Sequence, residues 1–435
     1  METKLTVSLR NLKKDVRLCR RGFMKVTALL KNNKDKIYNF MFSIGATAVM
    51  NLVLQLFVYP SMAERLGAEV NGVALSMLSL VAIAAGACGT SANYSRMVNT
   101  TKLPDATNGD YNLYLLITGL ICCTVGTVYQ IFYLKETSPL AVLLFAALMF
   151  ASTFRYYSDV QFRLKADFFR YFIFFLLMSA GYLLGLLVFR LTGQWMLAIL
   201  TGECAGVLYV ILRGTLYRHP VFRPSASFKP VCVSISLLLA ATLVENLTFH
   251  ADRMLLLALT DGTSVTVYYA ASLIGKVVAM LTVPVNSLLI TYLVRFRGKL
   301  SFRFWSVATV IALAASACAF GACMLVSPWF IRWKYALVYE EAIRYVVPAL
   351  LGQILFFVSG VLMVILLRFF GEKKQFLYNV LYAVEFFILV IVCTSLWGLK
   401  GFVWACMAAN LIRLLLVVVL GYVGVLRTAR SKENS

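Results

Sequence analysis

The chain holds 435 residues, 61% hydrophobic and 14% charged, with a net charge of +22 from 41 Lys and Arg against 19 Asp and Glu. Soluble domains run at roughly 45–50% apolar and about 25% charged, so a string of soluble domains is excluded. Apolar runs from residue 37 to residue 426 leave no stretch for a soluble catalytic domain.

The basic residues lie between apolar runs, not on one compact face, which points away from nucleic acid and toward membrane orientation and anionic headgroups. Ten scattered cysteines without CxxC, and only two histidines, offer neither a disulfide framework nor a zinc site. There is no Walker loop, no nucleophile and base pattern, and hence no cofactor or enzyme chemistry to assign.

Residues 1–36 form a basic amino-terminal segment without a cleavage site, and span 1 is expected to serve as an uncleaved anchor. Leu5, Leu9, Leu12, Val16, Cys19, Phe23, Val26 and Leu30 recur in steps of four and three opposite a Lys/Arg face. That period suits an interfacial amphipathic helix, with a solvated basic tail as the alternative.

A span needs about 20 apolar residues, and twelve candidates follow: 37–60, 72–93, 111–133, 139–158, 168–190, 195–213, 231–260, 263–293, 304–327, 344–367, 377–398 and 401–426, here spans 1 to 12. With a cytoplasmic amino terminus, the inside segments hold 31 Lys and Arg and the outside connections 7, leaving Arg253, Lys276 and Arg413 within spans. The positive-inside rule then places both termini in the cytoplasm.

Residues 214–230, with His219-Pro220 and Pro224, make the longest inside connection and divide six spans (37–213) from six (231–426), ahead of a tail at 427–435. Leu66 to Val73 enters span 2 much as Thr260 to Val267 enters span 8, an offset of 194 residues. Two halves of the same topology imply parallel repeats about an axis along the membrane normal, with a cavity between lobes. The predicted fold class is therefore all-α, polytopic, with about twelve membrane helices in two six-helix lobes.

The same residues carry a resemblance. Tyr59-Pro60 followed by Arg65-Leu66-Gly67-Ala68-Glu69-Val70-Asn71-Gly72 resembles the "LG-x-x-x-x-G" start of polysaccharide flippases of the Wzx type, in the MOP superfamily with MATE drug exporters and the lipid II flippase. His250-Ala251-Asp252-Arg253-Met254-Leu255-Leu256 and Tyr268-Tyr269-Ala270-Ala271 are similar to the family's "D-R-x-L-L … G-x-Y-x-x-A" stretch, with Thr266 in place of its glycine. Tyr156-Tyr157-Ser158, Phe162-Arg163-Leu164-Lys165, Gly181-Tyr182 and Trp195 look like these flippases too. The resemblance implies a MATE-like fold and transport of a lipid-linked oligosaccharide on an undecaprenyl pyrophosphate carrier. It further implies a role in capsule, exopolysaccharide or O-antigen assembly, with membrane lipids, a polysaccharide polymerase and glycosyltransferases of the same pathway as partners.

Ionisable groups at membrane depth cost about 2.5–3.5 kcal/mol on insertion scales, so each needs a partner or a watery cavity. Glu385 and Arg413 each lie about 13 residues from the Gly398–Gly401 turn, and equal depth on antiparallel neighbours predicts a structural ion pair. The same count around Asp261-Gly262 brings Glu245 and Lys276 within ~3 Å in depth. Asn246, His250 and Arg253 share one stripe of span 7, with Glu245 and Asp252 on the next; a cavity-lining helix is expected, bent near Glu245 to Arg253, with a satisfied polar seam as the alternative.

Glu203 finds no cation among the first six spans and is expected either to exchange a proton or to sit neutral, hydrogen-bonded to Tyr182 or a carbonyl. Arg155, near the end of span 4, reads as a headgroup anchor. Arg253, Lys276 and Arg413 form the cationic cavity for substrate, Arg253 and Lys276 receiving the pyrophosphate. A cation-coupled drug exporter and a membrane glycan polymerase or ligase are the competing readings; the longest outside connection, 328–343, is short for the latter.

Overall fold

The computed structural model describes residues 34–280, 301–370 and 372–433, together with positions 282, 285, 286 and 289; the stripe from Leu5 to Leu30 lies outside them. Among these residues ten helices are long and apolar enough to cross a membrane. Two are of double length, Met41–Thr100 with 60 residues and Leu377–Leu426 with 50. Each is broken once by a glycine, Gly67 at φ 77° and Gly398 at φ 56°, where a side chain would strain the backbone. Each double helix is thus two crossings, and ten helices supply the twelve spans.

The remaining spans are Asn108–Val128 with Tyr129–Tyr133 (span 3), Pro139–Ser158 with Val160–Leu164 (span 4), Phe168–Thr192 (span 5), Met196–Arg213 (span 6), Phe228–Leu259 (span 7), Gly262–Met280 (span 8), Phe302–Lys334 (span 9) and Tyr339–Phe370 (span 10). Their starts are set by short-range chemistry. Thr107 and Asp110 form a capping box at span 3, the Asp167 carboxylate accepts from Arg170 N–H at span 5, and Ser301 Oγ accepts from Phe304 N–H at span 9. Span 7 is one continuous helix of 32 residues, Phe228–Leu259, long enough to cross the membrane with tilt or curvature.

Buried side chains gather into one cluster built by the first half, which also takes in Val231 and Ile235 at the start of span 7. Two clusters form the second half, one around Tyr268, Tyr269, Ile331 and Phe402, the other around Trp305, Leu362, Leu366 and Val417. Between the halves, span 2 runs antiparallel along span 7. Ser95 Oγ donates to Ser234 Oγ at 2.9 Å and Thr242 Oγ1 to the Ala87 carbonyl at 3.3 Å. On the opposite seam Gln55 Nε2 reaches Met280 Sδ at 3.2 Å, and the Tyr59 and Tyr269 rings lie 5.9 Å apart.

At the end of the bundle that carries Gly67 and Asp261 the halves are latched. Glu69 Oε1 accepts from Gly262 N–H at 3.1 Å, and Oε2 accepts from Thr263 N–H at 2.8 Å and Thr263 Oγ1 at 3.0 Å. Thr266 Oγ1 donates to the Ala68 carbonyl at 2.6 Å and accepts from Asn71 Nδ2 at 3.2 Å. A Cβ on Gly72 would overlap the Gly262 carbonyl, and one on Gly262 the Glu69 carbonyl, so both glycines are required for this approach.

Candidate functional site

In the first half, glycines shape the site before charge does. Gly181 on span 5 packs on the Cα of Gly202 on span 6, and a Cβ on Gly202 would overlap the Tyr182 ring. Small residues let these helices approach closely, and the approach lays Tyr182 on Glu203. Tyr182 Oη donates to Glu203 Oε1 at 2.5 Å.

The expectation that Glu203 lacks a cation is corrected: Arg155 grips it with two bonds, Nε to Oε2 at 2.7 Å and Nη2 to Oε1 at 3.2 Å. Arg155 is no headgroup anchor; it is 8% exposed and Glu203 3%. Span 4 continues in helix past its apolar run to Leu164, which carries Arg155 well inside. Its guanidinium stacks on Tyr156 at 3.9 Å.

Span 7 supplies the second cluster. Asp252 Oδ2 pairs with Lys276 Nζ at 2.5 Å, and Asp252 Oδ1 lies 3.8 Å from Arg253 Nε. Lys276 faces the rings of Tyr268 and Tyr269, and Arg253 lies over Tyr269 at 5.4 Å. All three charged groups are buried, so one carboxylate faces two cations and the cluster keeps a positive excess. Arg253 Nε has no hydrogen-bond acceptor, and His250 Nδ1 no partner.

The expected proximity of Glu245 and Lys276 is therefore corrected. Asp252 takes the lysine and Glu245 is left exposed, with Asn246 and His250 half-buried. Counting residues from the turn assumes parallel helices, and crossing helices bring together residues at unequal counts. The first cluster thus joins spans 4 and 6 within the first half, and the second joins spans 7 and 8 within the second.

The third cation, Arg413, is clamped between the rings of Phe356 and Tyr382, each 4.4 Å from its guanidinium carbon. The ion pair with Glu385 does not form: Arg413 Nε and Nη1 and Glu385 Oε1 have no hydrogen-bond partners. The register explains it. Tyr382 Oη donates to Asn410 Oδ1 at 3.0 Å and Tyr378 Oη to the Arg413 carbonyl at 2.5 Å. Gly401 packs on the Cys393 carbonyl, so the hairpin centre is shifted and Glu385 lies about six residues, or ~9 Å, from the level of Arg413.

Two features escaped the sequence reading. Asp159, bonded to Asn93 Nδ2 and paired with Arg163 at 2.9 Å, anchors the end of span 4; its i, i+4 spacing to Arg163 was a usable signal. Thr266, whose hydroxyl had no assigned role, supplies hydrogen bonds of the latch.

No protein-family model matches the sequence, and no curated protein sequence matches it. Solved structures do match in fold. A multidrug resistance MATE family transporter of the MOP superfamily in its inward-facing conformation aligns with a TM-score of 0.64 and 13% identity, over 90% of this chain and 96% of that one. The lipid II flippase MurJ, inward closed, aligns at 0.65 and 14%, over 87% of each chain. An outward-facing MATE family transporter gives 0.53 and 15%, over 90% of this chain and 95% of that one. This chain has the helical fold of these MATE transporters and of MurJ.

Proposed function

We propose that this chain carries a lipid-linked oligosaccharide from the inner to the outer leaflet of a cytoplasmic membrane by alternating access, with both termini cytoplasmic. The observation that carries this reading is the charge of the interior. Among the described residues the buried charged groups of the second half are Arg253, Lys276 and Arg413 against Asp252, and in the first half Arg155 is paired with Glu203. Arg155 and Glu203 cancel, leaving a cationic excess on the second half, with the carboxylates of Glu245 and Glu385 not fully buried. A pyrophosphate requires such a lining and a cationic drug does not. Arg253 with Lys276 holds the pyrophosphate, the glycan fills a hydrated space, and the polyprenyl tail stays in lipid.

The latched end is then the outer face, in keeping with the higher TM-score of the inward-facing MATE transporter than of the outward-facing one. Glycosyltransferases supply the substrate and a polysaccharide polymerase consumes it. Glu203 accepts from both Arg155 and Tyr182, so proton coupling through it, as the drug-exporter reading needs, requires that pair to break.

Native mass spectrometry of the purified protein with a polyprenyl-pyrophosphate saccharide tests the reading. Binding should fall roughly 10- to 100-fold in Arg253→Glu, the worth of one charge-assisted contact, and less in Arg253→Lys, which keeps charge without the planar fork. Wild-type binding by Arg253→Glu, or displacement by ethidium, contradicts it.

A further inference from the structure

The connection from Arg213 to Pro230 contains Arg213, Arg218, His219, Arg223 and Lys229 and no acidic residue. Such a composition ordinarily gives a loose, solvated basic loop. Here it is pinned to the first half at both ends. Gln161 Oε1 accepts from Thr215 N–H at 3.0 Å, and Asn112 Nδ2 donates to the Leu216 carbonyl at 3.0 Å. Asn108 Nδ2 donates to the carbonyls of Thr215, at 2.8 Å, and Arg218. Asp110, fully buried, accepts from Ser225 N–H at 2.6 Å and Ser225 Oγ at 2.7 Å. A Cβ on Gly109 would overlap the Arg223 carbonyl, so the loop lies directly on the first turn of span 3.

The pinning fixes both depth and display. Span 6 ends at Arg213 and span 3 begins at Asn108, so the loop is held where apolar helix gives way to headgroups. Its outward face presents Arg218 and Arg223, both exposed, around Phe222, which is 48% exposed. The carboxylate that touches it, Asp110, is buried beneath and bonded to Ser225 and Thr107. Guanidinium groups recognise phosphate, and an aromatic ring between them suits the interfacial zone of a negatively charged leaflet.

We infer that residues 215–225 form a preorganised binding surface for anionic phospholipid headgroups, Arg218 and Arg223 on the phosphates and Phe222 in the interface. The inference is independent of the proposed substrate.

The test is a titration of the detergent-purified full chain with phosphatidylglycerol and, separately, phosphatidylcholine, read by native mass spectrometry. Arg218→Gln with Arg223→Gln should weaken phosphatidylglycerol binding by about fivefold per arginine, leaving phosphatidylcholine unchanged. Asn108→Ala with Ser225→Ala keeps every cation but frees the loop, and should weaken phosphatidylglycerol binding as well. Unchanged phosphatidylglycerol binding in the double arginine variant overturns the site. Wild-type binding by the freed loop overturns its preorganisation. Displacement of phosphatidylglycerol by a polyprenyl pyrophosphate would assign the surface to substrate and overturn the lipid assignment.

Discussion

Glu69 and Thr263 are 194 residues apart and bonded to each other, Thr263 N–H to Glu69 Oε2 at 2.8 Å. The repeat offset read from the sequence is also 194, so each occupies the other's equivalent position. Equivalent residues meet only where a two-fold axis passes between them. A carboxylate of the first half therefore caps the amino end of span 8 in the second, where helix N–H groups favour negative charge.

Glu69→Gln should weaken the latch. With a single cysteine at position 63, a buried residue beside it, thiol labelling should quicken roughly tenfold, the worth of one charge-assisted bond. Burial raises the Glu69 carboxyl pKa, but bonds from Thr263 and Gly262 outweigh it and leave it below the ordinary 4.5. A depressed pKa favours the latched state at neutral pH, and the contribution is lost as pH falls through the latched value. The labelling rate of the position-63 reporter with native Glu69, taken as a ratio to that of Glu69→Gln at the same pH so that the thiolate fraction cancels, should therefore rise below about pH 4.5. A pH-independent native latch contradicts the capping role.

Arg155 and Glu203 should behave as a buried pair. Removing one leaves an uncompensated charge, about 3–5 kcal/mol, so Arg155→Gln or Glu203→Gln alone should melt well below wild type. The double variant should recover much of the loss. Thermal unfolding in detergent decides it, and a double variant worse than both singles contradicts the pairing.

Gly202→Ala drives a methyl into the Tyr182 ring. Overpacking of this kind costs about 1–3 kcal/mol, and it should lower the melting temperature unless Tyr182 is also shortened. Equal stability of Gly202→Ala and wild type would show that spans 5 and 6 are not in this close contact.

Glu385 and Arg413 should act independently, with a coupling energy within ~0.5 kcal/mol in a double-mutant cycle. Tyr382→Leu, which opens one side of the Arg413 clamp, should be more damaging than Glu385→Gln when unfolding is followed. Strong coupling would restore the ion pair that the hairpin register denies.

The spans were legible because a membrane demands about 20 apolar residues per crossing, and the repeat because Leu66 to Val73 and Thr260 to Val267 lead into spans 2 and 8 in the same way. Pairing was not, because depth counted from a turn ignores helix crossing and where the hairpin centre lies. Lys276 found Asp252 where the count favoured Glu245, and Tyr382 found Asn410 where the count aligned Glu385 with Arg413. Arg155 was missed because helix outlasts hydrophobicity: its span continues to Leu164, so a cation at the edge of the apolar run lies inside the bundle.

The most direct measurement is the flipping rate of a fluorescent polyprenyl-pyrophosphate saccharide in proteoliposomes, scored by a reductant that reaches only the outer leaflet. Wild type should make essentially all of the probe accessible, Arg253→Glu should slow the conversion roughly 100-fold or more, and a non-reducible bismaleimide cross-link between cysteines at positions 68 and 266 should stop it. Equal rates for wild type, Arg253→Glu and protein-free vesicles, or full transport through the cross-linked latch, would contradict the account.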